Sequence, residues 1–65
     1  MTLNTQPNIT DMDGFYARLL ATHRGLTPAQ SAALNARLIL ILANHVGDAT
    51  ALEQALALAR DGAAD

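Results

Sequence analysis

A chain of 65 residues is enough for one small domain, and one this short buries only about 60% of the surface that its unfolded form exposes. It has no cysteine, which excludes disulfides and cysteine-rich zinc sites as reinforcement and leaves oligomerisation or a binding partner as the remaining device. A net charge of −2, with Arg18, Arg24, Arg37 and Arg60 as the only Lys or Arg side chains, gives little hold on phosphate backbones or anionic lipid, so neither nucleic acid nor membrane is expected as a partner.

The absence of Cys fits a reducing compartment. No charged segment followed by an apolar one opens the chain as a signal peptide would, and a cytoplasmic location is expected. Hydrophobic residues make up 51% of the chain and are mostly Ala and Leu, with Phe15 and Tyr16 the only aromatics. That composition forms helices and lacks the β-branched residues that fill a sheet.

Residues 1–10 contain Asn4, Pro7 and Asn8, show no helical period and are expected to form an extended arm. Asp11 can cap a first helix, with Asp13 near the positive end of its dipole. Met12, Phe15, Tyr16, Leu19, Leu20 and His23 then recur at three- and four-residue intervals, and Gly25 closes the helix in a left-handed conformation. Thr27-Pro28-Ala29-Gln30 is the clearest start signal: an N-cap, a proline at the first helical position, and the glutamine of a capping box. The helix it opens meets no breaker until Gly47, which gives about 19 residues or roughly 28 Å. Asp48 can cap a third helix with Leu52, Ala55, Leu56 and Ala59 inward, ending at Gly62 and leaving residues 63–65 as a frayed tail. Both turns are short. The expected fold is an all-α, up-down-up three-helix bundle over residues 11–62.

The run Leu38-Ile39-Leu40-Ile41-Leu42-Ala43 dominates the second helix. At 100° per residue, Gln30, Arg37 and Asn44 form a narrow polar strip. Leu38, Ile39, Leu42 and Val46 lie opposite, and Leu40 and Ile41 fall on the two flanks. Two readings are open: a central helix covered on both sides, or a docking surface in which Leu40, Ile41 and Leu58 stay exposed inside a rim of Arg37, Asn44 and His45. Six residues are too few for a membrane span, which needs about 20. Asn35 projects from the apolar face. It is expected either to bond the backbone of the N-terminal arm, the preferred reading, or to fix register at a helix–helix interface.

His23 and His45 each sit in a last helical turn, where the dipole favours a cation. An alternative gathers Tyr16, His23, Asn35 and His45 into a small-ligand or metal module, but no motif spacing supports metal ligation and no metal or cofactor is expected. Ser31 and the threonines stand in no nucleophile elbow, Asp11 and Asp13 suit capping, and the four glycines are isolated, so no catalysis is expected of the chain alone. A helix-turn-helix reading around Gly25 fails because the next helix carries only Arg37 as a Lys or Arg residue. An acyl-carrier reading fails because Ala49, not serine, follows Gly47-Asp48.

The stretches Asp13-Gly14-Phe15-Tyr16, Leu34-Asn35-Ala36-Arg37-Leu38-Ile39-Leu40 and Leu42-Ala43-Asn44-His45-Val46-Gly47-Asp48 resemble a family of short proteobacterial proteins catalogued as a domain of unknown function. The resemblance runs from Ile9 to Leu58 and carries no assigned activity. Members of that family are associated with genes for flavin-dependent aromatic hydroxylases, so the resemblance implies an accessory protein for such an enzyme. The expected function is a non-catalytic interaction module, docking through the second helix to itself as a homodimer or to a larger enzyme.

Overall fold

In a computed structural model, which describes residues 1–64, the chain forms α1 (Met12–His23), α2 (Pro28–Val46) and α3 (Ala49–Ala64). There is no strand among the described residues, and the all-α class is as read from the sequence.

Each helix begins on a side chain that the sequence places there. Asp11 Oδ1 accepts from Gly14 N at 2.9 Å. A Cβ at Gly14 would fall on that carboxylate, so the cap depends on a glycine three residues into its own helix. At α2 the capping box is complete: Gln30 N donates to Thr27 Oγ1 at 3.2 Å, and Thr27 N donates to Gln30 Oε1 at 3.0 Å. At α3, Ala51 N donates to Asp48 Oδ1 at 2.8 Å. The connections turn on Gly25 and Gly47, whose φ of 82° and 67° are left-handed and strained for a residue with a Cβ.

α3 differs from expectation at its far end. It continues through Gly62 to Ala64 instead of stopping at the glycine. No φ reversal occurs at Gly62, and Ala63 and Ala64 are strong helix formers, so the intrinsic cost of about 1 kcal/mol for a helical glycine does not end the helix. Of the expected frayed tail, Asp65 lies outside the described residues.

The arm is extended and tied to α3. Leu3 N donates to Gln54 Oε1 at 2.8 Å, and the Met1 ammonium lies 3.1 Å from Asp48 Oδ2. Asn35 does not hold the arm as expected. It is exposed on α2 and makes no hydrogen bond to the described residues, and the amide that binds arm backbone is that of Gln54.

What the helices lack is a core. Among the described residues Ala51, 5% exposed, is the only buried hydrophobic one, and no two helices run closely alongside one another. The radius of gyration is 13.4 Å, where about 11 Å is usual for this length. The accessible surface is 5657 Å², against roughly 3,950 Å² for a compact monomer of this mass.

Thr27→Ala removes half of the capping box and should lower stability by about 1 kcal/mol, read as a lower urea midpoint with an unchanged slope. The Asp48 carboxyl is held below its ordinary value of 3.8, first by the Ala51 N–H and then by the Met1 ammonium, with desolvation opposing them and the Thr50 N–H adding a lesser contribution. A lowered folded pKa stabilises above the unfolded value, and that contribution is lost as pH falls through the folded one. Asp48→Asn keeps a capping oxygen without the charge. The stability gap between it and the wild type should therefore hold at neutral pH and close only below about pH 3.8, measured by thermal melts across pH.

Candidate interaction surface

α2 meets a different neighbour on each of two sides. Toward α1 it turns Ser31, Leu34 and Leu38, all half-buried, and here His23 Nδ1 shares a hydrogen bond of 2.9 Å with Ser31 Oγ. Beside that contact lies an open cleft of about 480 Å³ between Thr22 and Leu26 on one side and Leu34, Arg37, Leu38 and Ile41 on the other. Toward α3 a second cleft, of about 540 Å³, is lined on α2 by Ile39, Leu40, Leu42, Ala43 and Val46 and on α3 by Leu52, Ala55, Leu56 and Ala59. Every residue lining this second cleft is apolar.

The second cleft exists because α3 offers alanine where it faces α2. Ala55 and Ala59 stand one turn apart on the α3 face that also holds Leu52. A methyl group reaches too short a distance to meet Ile39 or Leu40 unless the helices lie close together, and these do not. The consequence is exposure of large side chains: 70% at Leu40, 61% at Ile39 and 67% at Leu56.

These observations place the expected interface residues one by one. Leu40 and Ile41 are both uncovered, but on different sides, Leu40 in the α2–α3 cleft and Ile41 in the α1–α2 cleft. Leu58 is exposed but lines neither; Leu56 is the α3 leucine that stands in the cleft with Leu40. Arg37 borders the α1–α2 cleft, and Asn44 and His45 are exposed near the end of α2. Leu56 and Ala59, expected to face inward with Leu52 and Ala55, are exposed instead, and so are Ile39, Leu42 and Val46 of the α2 face opposite the polar strip. Their exposure was not legible in the sequence, since periodicity assigns residues to a face without showing what covers it.

Thr27, Gln30 and Asp48 perform the structural roles expected of them. The residues of the ligand alternative are dispersed. His23 sits level with Ser31, and His45 lies 14 positions farther along α2, about 21 Å at 1.5 Å per residue. Tyr16, His23, Asn35 and His45 line neither of the two clefts. Among the described residues, no three His, Cys, Asp or Glu side chains gather into a possible metal site, and no helix is long and apolar enough to cross a membrane.

No curated protein and no solved structure matches the chain. A family model does match, over residues 3–61, a span that takes in all three caps and both clefts. The chain belongs to the family described as "Protein of unknown function (DUF2783)".

Proposed function

We propose that this protein is a non-catalytic interaction module whose docking surface is the apolar cleft between α2 and α3. The observation that carries the reading is the wholly apolar lining of that cleft, where Leu40, Ile39 and Leu56 stay mostly exposed in a chain whose total surface is about 1,700 Å² above that of a compact monomer of equal mass. Monomeric soluble proteins rarely leave a contiguous apolar patch of more than a few hundred Å² in water. Covering Leu40, Ile39 or Leu56 stabilises a complex by roughly 1.5–3 kcal/mol per side chain.

A partner is also what the helices need. Isolated helices shorter than about 12–15 residues are marginal in water, and most helical stability in proteins comes from packing of an apolar face. α1 has 12 residues and α2 has 19, and neither has any buried residue. We place the protein in the cytoplasm, in keeping with its lack of cysteine. The partner is a second copy of the chain or a larger protein, the two forms that an interaction module of this size takes.

Capture experiments test this. Tagged wild-type protein should retain a partner, whether untagged copies of itself or another chain from native lysate, and Leu40→Asp combined with Leu56→Asp should abolish that retention while circular dichroism still reports helix. Ile41→Asp, on the other side of α2, should have a smaller effect. A wild-type chain that retains neither, or retention indifferent to the paired substitution, would overturn the proposal.

A further inference from the structure

We infer that the cleft between α1 and α2 is a binding site for a small amphiphilic monocarboxylate, its headgroup on the Arg37 guanidinium and its hydrocarbon along Leu26, Leu34, Leu38 and Ile41. The site is separate from the α2–α3 docking cleft, so this inference and the interaction reading stand or fall independently.

The two clefts differ in one respect that selects a ligand. The α2–α3 cleft is lined by apolar residues alone, whereas Arg37 stands in the lining of the α1–α2 cleft and is the only charged residue lining either. Helical period puts it there. Gln30, Leu34, Arg37 and Ile41 recur at intervals of four, three and four, which makes one stripe of α2 along the cleft, with Leu38 beside it. Side chains on a helix lean toward its N-terminus, so Arg37 reaches over the turn that holds Ala33 and Leu34 and not past the end of the cleft.

Hydrogen-bonding capacity sets the sign of the ligand. Among the described residues Arg37 makes no ion pair, so its guanidinium N–H groups are unclaimed by a carboxylate of the chain. Thr22 Oγ1 donates its proton to Arg18 O at 2.7 Å, and Gln30 Oε1 already accepts from Thr27 N at 3.0 Å, which leaves Gln30 only its amide N–H groups to offer. The cleft therefore presents donors and one positive charge beside apolar walls. A single carboxylate meets a guanidinium with two parallel bonds and neutralises it, and a hydrocarbon tail suits the rest.

Size and shape favour a small molecule over a protein segment. The cleft holds about 480 Å³, within the roughly 300–1,000 Å³ of small-molecule sites. Its wall on the α1 side is short, since Thr22 is the one lining residue from α1 and Leu26 comes from the connection. A partner helix, about 10–12 Å across, would need flanking over several turns. A short hydrocarbon needs less, and it would cover Ile41, now 62% exposed. The 2.9 Å bond between His23 and Ser31 pins α1 to α2 beside the cleft and holds that wall in place.

Titration of the isotope-labelled full chain with sodium hexanoate, octanoate and decanoate, each below its micelle concentration and followed by amide chemical shifts, tests the site. Affinity should rise with tail length, and shifts should concentrate at Thr22, Leu26, Leu34, Leu38 and Ile41 while Leu52 and Leu56 stay unmoved. Decanol, with the same tail and no charge, should bind about tenfold more weakly, the scale of one charge-assisted contact in a partly wet site. Arg37→Gln should weaken decanoate by a similar factor and leave decanol unchanged. Arg60→Gln, on α3 and lining neither cleft, should alter nothing. Ile41→Asp sets a carboxylate one turn from Arg37, where it pairs with the guanidinium and should exclude decanoate. Arg37 is exposed, so its substitution should leave helix content by circular dichroism as in the wild type, and a loss of binding then reports on the site. Decanol bound as tightly as decanoate, indifference to Arg37→Gln, shifts centred on the α2–α3 cleft, or no shift with any of the three acids would each overturn the inference. The capture experiment reads the other cleft and is unaffected by these outcomes.

Discussion

Each helix of this chain is complete as a local structure, with its N-terminal N–H groups met by Asp11, Thr27 and Gln30, or Asp48, yet the apolar faces that those helices create meet too few neighbours to be buried within one copy. The loss of conformational entropy on ordering each residue, about 1–2 kcal/mol for the backbone alone, has to be offset mainly by apolar burial. Capping bonds contribute of order 1 kcal/mol each and do not supply it. The shortage of buried surface is therefore the constraint from which the clefts follow, and it is the ground on which a partner is proposed.

Alanine is the physical source of that shortage. It is the best helix former because it loses no side-chain entropy, and α3 is rich in it. The same methyl group fills little volume between helices. Ala51 is buried because the turn at Gly47 and Asp48 holds it close, but Ala55 and Ala59, farther from the turn, leave the α2–α3 cleft open. A sequence that favours helix so strongly thus makes its elements secure and its interior thin.

The arm shows the same economy of contact. It has no regular structure, and its contact with α3 relies on the amide of Gln54, with Leu3 half-buried. At the other junction His23 and Ser31 join α1 to α2 by one hydrogen bond, which uses the histidine in the last turn of α1 as a link between helices. These are single polar contacts, worth about 1 kcal/mol net apiece, and they orient the elements without replacing a core.

What the sequence determined by itself is local. Caps, turns and helix limits depend on residues within four positions of one another, and Asp11, the Thr27–Gln30 box, Gly25, Gly47 and Asp48 were legible for that reason. The end of α3 was misread because a glycine can either reverse φ or remain helical, and its identity alone does not choose between them. The tertiary structure decided what covers what. It separated Leu40 from Ile41 into different clefts, put Leu56 where Leu58 was expected, exposed Ile39, Leu42 and Val46, and gave the arm to Gln54 instead of Asn35. Each of these depends on the distance and angle between helices, which are set by the volume of facing side chains and by turn geometry, and a period of 3.6 residues carries neither.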